Sequence, residues 1–163
     1  MVKTADLAEA KAWQAAAATP DPEIPPLTVA DLGILRSVTV EGRRATARVS
    51  PTYTGCPAVL AIEFDIARRL REAGFEPVIE RALAPAWTTD WITPEGREKL
   101  RAAGIAPPTA AAGKAALLGA PPPDCPRCGS AETERLSEFG STACKSLWRC
   151  MSCREPFDHF KCH

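Results

Sequence analysis

Arg43 to Ala84 reads RRATARVSPTYTGCPAVLAIEFDIARRLREAGFEPVIERALA, and its centre and its flanks follow different periods. In the centre, Val59, Ile62, Ile66 and Leu70 recur at three- and four-residue intervals, while Glu63, Arg68, Arg69 and Glu72 fall largely elsewhere. That is the pattern of an amphipathic helix. Gly74 stands where a helix commonly ends in a left-handed residue. RRATARVS, before the helix, alternates small and charged residues, and FEPVIERALA follows as a second strand. A strand, helix, strand order implies a right-handed crossover that leaves the two strands parallel.

Upstream, ILRSVTV (residues 34–40) and RRATARVS surround Glu41-Gly42, which reads as an antiparallel hairpin. The sheet is therefore expected to be mixed, with about three strands. Thr4 is placed to cap a helix through Leu7, Ala10 and Trp13, which the prolines of TPDPEIPP forbid to continue. Downstream, WTTDWITPEGREKLRAAG supplies a loop with Trp87 and Trp91, then a short helix with Thr93 as cap, Pro94 at its first position and Gly104 at its end. The expected fold is α+β over residues 1–106. Residues 107–123 are rich in proline and alanine and read as a semi-extended spacer, with a short helix conceivable over Ala110 to Leu118. Residues 124–163 form a separate zinc ribbon in this reading.

The 163 residues carry 20 basic and 20 acidic side chains, with a pI near 6.7. Nothing in that balance steers the chain toward polyanions. No apolar run approaches the roughly 18 residues that a membrane-spanning helix needs. Asp6, Glu9 and Lys11 interrupt the stretch where a signal peptide would be continuously apolar, so a cytoplasmic protein is expected.

Four of the seven cysteines form two Cys-x-x-Cys pairs, Cys125/Cys128 and Cys150/Cys153, and 21 residues separate the pairs. Each pair sits on a tight knuckle that aims two thiolates at one point. Four sulfurs close a tetrahedral zinc and leave no position for a substrate, so the site is structural. Two redox pairs would need a surrounding βαβ pattern that is missing here. From Asp124 to His163, six basic residues oppose six acidic ones. A neutral ribbon lacks the phosphate-binding term that nucleic acid demands, which makes a protein partner the expectation. Cys144, Cys162 and His163 receive no role.

Cys56 lies between Gly55 and Pro57. With Pro57 at the first helical position, Cys56 becomes the N-cap, where unpaired N–H groups and the macrodipole favour a thiolate of lowered pKa. A small apolar residue filling the helix start explains the same position equally well. Asp21, Glu23 and Asp31 lie in irregular backbone ahead of the hairpin. Hard oxygen ligands near one soft thiolate would make a weak, exchangeable iron site; turn formation accounts equally for Asp21 and Asp31. Trp87 and Trp91 fit either an exposed partner surface or the core. With His159 and His163 the only histidines, most general-base schemes lack a candidate.

DPEIPPLTVADLG, followed by SPTYTGCP at the start of a helix, resembles the small cytosolic family of iron–sulfur assembly factors that includes the SufT-like proteins. LAPAWTTDWITPEGREKLRAAGIAPP together with the ribbon sequence narrows the resemblance to the PaaD family, D subunits associated with bacterial phenylacetyl-CoA epoxidase. The resemblance implies an accessory role in phenylacetate breakdown, not catalysis. It associates the cysteine matching Cys56 with assembly or transfer of iron–sulfur clusters, held transiently. The implied partners are the oxygenase and reductase components of the epoxidase, and general iron–sulfur assembly proteins. A competing reading is a non-catalytic adaptor whose ribbon and tryptophan loop hold those components together.

Overall fold

The computed structural model describes residues 4–53, 55–109 and 121–161. The short helix considered over Ala110 to Leu118, most of the spacer, and Cys162 and His163 lie outside them. The chain divides into two compact units, Met1–Trp87 and Thr88–His163.

In the first unit, β1 (Leu35–Glu41) and β2 (Arg44–Val49) form the hairpin, and β3 (Glu76–Arg81) lies parallel to β2 in a sheet of order β1-β2-β3. Glu41 pairs with Arg44, so only Gly42 and Arg43 make the turn. Gly42 has φ 61°, a left-handed conformation that glycine adopts without steric cost. The helix α2 (Val59–Glu72) packs on β2 and β3 and buries Val59, Ile62, Ile66 and Leu70, the four residues of the periodic face. Covering each such side chain is worth about 1.5–3 kcal/mol.

Gly74 ends α2 at φ 93°. Phe75 N–H reaches back to the Leu70 carbonyl and Gly74 N–H to that of Arg71, both at 2.9 Å, satisfying carbonyls that the helix leaves open. The first helix, α1 (Thr4–Ala17), packs on β1 and α2. Its fully buried residues are Ala12 and Ala16, one turn apart, whereas Leu7 and Trp13 are exposed. The Glu9 carboxylate accepts a hydrogen bond from Val40 N–H on β1, at 3.3 Å.

The second unit opens with a 3-10 turn (Thr89–Trp91) and α3 (Pro94–Ala102), capped by the Thr93 hydroxyl, which accepts from Gly96 N–H at 3.0 Å. Four strands follow: β4 (Ile105–Ala106), β5 (Thr133–Ser137), β6 (Lys145–Cys150) and β7 (Pro156–Phe160), in the order β4-β7-β6-β5. The sequence reading keeps residues 88–106 with the first domain, but the division of contacts groups them with the ribbon. The reason is β4, a two-residue strand that runs parallel to β7 with Ile105 opposite Asp158 and Ala106 opposite His159. Among the described residues no helix is long and apolar enough to cross a membrane.

Candidate functional site: a four-cysteine centre and a single thiol

The two ribbon knuckles share one construction. After Cys128 the chain turns through Gly129 (φ 74°), whose N–H bonds the Cys125 carbonyl at 2.9 Å. After Cys153 it turns through Arg154 (φ 68°), whose N–H bonds the Cys150 carbonyl at 3.1 Å. The second knuckle closes the hairpin between β6 and β7, and the first precedes β5.

Four sulfurs bound to one zinc at about 2.3 Å stand about 3.8 Å from one another. Cys125 Sγ lies 3.8 Å from Cys153 Sγ, and Cys128 Sγ lies 3.5 Å from Cys150 Sγ. All four fall within 4.8 Å of one another, so the donor set fits a tetrahedral zinc. Charge points the same way. The Cys153 N–H, opposed by burial and helped by Ser152 N–H, draws the Cys150 thiol down to about 6. The Glu155 N–H favours the Cys153 thiolate, but burial and the neighbouring sulfurs of Cys150, Cys128 and Cys125 push that thiol up to about 12. Four sulfurs this close are held as thiolates together only by a cation.

Cys56 is set differently. It precedes α2 by more than the sequence suggests, because the N-cap is Ala58 and the first helical residue Val59. Ahead of the helix, Cys56 N–H bonds the Tyr53 carbonyl at 3.2 Å and Val59 N–H bonds the Cys56 carbonyl at 3.3 Å. The half-buried thiol is pushed up by burial, pulled back by the Ala58 N–H, raised by the charge of Glu23, lowered by the Thr52 hydroxyl and raised by Asp21. The net shift is upward, which corrects the expectation of a lowered pKa. Displaced from the cap, the sulfur has the Ala58 N–H to stabilise a thiolate, against burial and two carboxylates.

Of the three carboxylates, Asp21 and Glu23 act on the charge of Cys56. Asp21 is buried, and its Oδ1 accepts from Glu23 N–H and Ile24 N–H, both at 2.8 Å. Asp31 accepts from Thr28 N–H at 2.8 Å and from the Thr28 hydroxyl at 3.0 Å. Asp21 and Asp31 thus shape the turns that deliver Ile24, Leu27, Val29 and Leu32 to the core. Among the described residues, the ribbon cysteines are the one group of three or more such side chains whose ligand atoms converge.

Trp87 corrects the partner-surface reading. It is 5% exposed, and its Nε1–H bonds the Leu32 carbonyl at 2.8 Å, so it belongs to the core. Trp91 is half-buried in the 3-10 turn. Sequence reasoning missed Leu60 and Phe64, which lie on α2 off its buried face and are each 70% exposed. The helical period that finds the core face of α2 also finds these two, as apolar residues on its far side. Sequence reasoning also gave His159 no role. It is buried on β7 with Nδ1 3.4 Å from the Ser146 hydroxyl, which in turn accepts from Trp148 Nε1–H at 2.9 Å. Cys144 is buried with its sulfur 3.1 Å from the Thr142 hydroxyl.

Two family models match the chain: an iron-sulfur cluster assembly protein model over residues 9–78, and a PaaD zinc beta ribbon domain model over residues 109–161. The chain is 51% identical over 153 residues to a protein of Escherichia coli (strain K12), spanning 92% of this chain and 90% of that one. The Escherichia coli protein is provisionally named the D subunit of a 1,2-phenylacetyl-CoA epoxidase. In fold, the chain is similar to a crystallised domain of unknown function from Bacillus anthracis, with a TM-score of 0.56 and 22% identity over 60% of this chain and 94% of that one.

Proposed function

The chain belongs to the PaaD family of phenylacetyl-CoA epoxidase D subunits, and from that premise we propose that it is an accessory maturation factor of such an epoxidase. In this reading it is not itself catalytic, and it assists delivery of iron or an iron–sulfur cluster to the reductase or oxygenase component through Cys56. The observation that carries the reading is the setting of that thiol. Cys56 is the only cysteine before the ribbon, half-buried at a turn that Asp21 and Glu23 oppose electrostatically, inside the segment that matches iron–sulfur assembly proteins. One thiolate outside any converging ligand set among the described residues holds iron weakly, which suits a cargo that must be released. A protonated thiol must also lose its proton before it ligates metal, so loading and release are coupled to proton movement.

The ribbon serves this reading as a rigid docking module whose zinc is structural. The test is a strain carrying Cys56→Ser. It is expected to lose growth on phenylacetate, and the reductase or the oxygenase component isolated from it should be deficient in iron while the reductase keeps its flavin. Full iron in both components with normal ring epoxidation would defeat the reading and favour a non-catalytic adaptor that holds the components together.

A further inference from the structure

The four ribbon sulfurs are not equivalent. Cys125 and Cys150 are buried, at 2% and 0% exposure, and pack with Ala106, Phe157 and Trp148. Cys128 and Cys153, which converge on the same point, are exposed. Each knuckle therefore contributes one sulfur from the inside and one from the surface. Backbone contacts hold the inner pair. Cys125 N–H bonds the Ser130 carbonyl at 2.9 Å, and Cys150, the last residue of β6, bonds the Glu155 carbonyl at 3.0 Å. The Cys150 sulfur also accepts from Cys153 N–H, at 3.4 Å.

The knuckles are joined by more than metal. Ser130 follows the first knuckle and Ser152 lies within the second, and their hydroxyl oxygens are 2.8 Å apart. Glu132 ties both together. Its N–H bonds Ser130 Oγ at 3.1 Å, its carboxylate accepts from the Ser152 hydroxyl at 3.3 Å, and its carbonyl accepts from Met151 N–H at 2.8 Å. With the inner pair, this clasp keeps the knuckles in register when an outer sulfur lets go.

A closed set of four thiolates has no vacant position, so an incoming ligand must displace one of them. It has to come from solvent. The side of Cys128 and Cys153 admits it, whereas the packing of Ala106, Phe157 and Trp148 bars the side of Cys125 and Cys150. Soft thiolates are the donors that compete best for a site built of thiolates.

We propose that the ribbon centre exchanges its metal from one side: Cys128 and Cys153 give way to an incoming thiolate donor, while Cys125 and Cys150 remain as the anchor. In each step one bond from the donor sulfur to the metal forms and one from Cys128 or Cys153 breaks. The donor leaves its thiol proton to water, the displaced cysteine takes one up, and no electrons are transferred. The centre still organises the ribbon, but its metal can be reached without prior unfolding. The inference goes beyond the maturation reading and uses neither Cys56 nor iron, so its failure leaves that reading intact.

The test uses the full zinc-loaded chain, kept anaerobic without added thiol. With a limiting amount of N-ethylmaleimide and each cysteine located by peptide fragmentation, Cys128 and Cys153 are expected to be labelled ahead of Cys125 and Cys150. Zinc transfer to dimercaprol, followed by native mass spectrometry, is expected to accelerate as the dithiol concentration rises. Cys153→Ser should keep the amide dispersion of the ribbon and hold zinc more weakly, whereas Cys150→Ser loses the dispersion. Labelling of all four cysteines together or of the inner pair first would overturn the proposal. So would a transfer rate independent of dithiol concentration, which marks release limited by unfolding, or a collapse in Cys153→Ser as complete as in Cys150→Ser.

Discussion

The two units solve the same folding problem with different means. The first buries Leu27, Leu32, Ile66 and Leu70 completely or nearly so, between helices and a sheet. In the ribbon, the buried cluster around the knuckles is Ala106, Cys125, Cys150 and Phe157, with Trp148 packed against it, and two of its four members are metal ligands. Apolar burial thus carries the first unit, while the cluster around the ribbon knuckles is too small to hold them in place without metal. A further contrast concerns cysteine itself: four converge on one point as a metal-binding set, whereas Cys56 stands apart, half-buried, ahead of α2.

Removing zinc tests the contrast most severely. Structural zinc contributes about 10–16 kcal/mol in small zinc-finger peptides. Cys150→Ser, or a strong chelator, is expected to collapse the amide dispersion of the ribbon by NMR while resonances of the first unit persist. A ribbon that stays dispersed without metal would break the comparison. In the first unit the matching blow is Trp87→Ala, expected to cost about 3–5 kcal/mol in chemical denaturation because it empties a core site. It also leaves the Leu32 carbonyl without its Trp87 N–H donor. Zinc content should stay at one equivalent, and its loss would show that the units do not stand on separate supports.

A smaller effect sharpens the ribbon side. Burial pushes His159 down to about 4 from an ordinary value of 6.5. A lowered histidine pKa means that the unfolded chain binds the proton more readily. The stabilisation is therefore complete above pH 6.5 and is lost as pH falls from there toward 4. At pH 5 the loss is about 2 kcal/mol relative to neutral pH. His159→Asn keeps a neutral polar group and should remove that part of the slope. Comparing the two chains with zinc saturating separates it from protonation of the ligand thiols, and identical slopes would refute it. The smallest expected effect on stability is that of Cys56→Ser, within about 0.5 kcal/mol, since the residue is half-buried and caps nothing. Equal denaturation midpoints alongside lost growth on phenylacetate would separate function from folding at this position.

Much of the first unit could be read in one dimension. Val59, Ile62, Ile66 and Leu70 repeat at the helical period because that period places them on one face, and Gly42 marks the hairpin because a two-residue turn there needs a left-handed residue. The cysteine spacing names the ribbon because a knuckle closes over two intervening residues whatever the rest of the chain does. The start of α2 was less legible. Proline at position 57 is compatible with a first helical residue, but the chain continues its turn through Ala58 before the helix begins.

Features set by neighbours along the chain were therefore legible from the residues alone: helix faces, the hairpin, the parallel crossover and the four-cysteine centre. The condition of single residues depends instead on neighbours in space. Trp87 is core because a carbonyl 55 residues away accepts its N–H. Ile105 and Ala106 form a strand because β7 supplies their partner. The Cys56 thiol is pushed up because folding buries it and brings up Glu23 and Asp21, residues remote in sequence. Burial and Coulomb interaction depend on distance through space, and no periodicity in the chain encodes that distance.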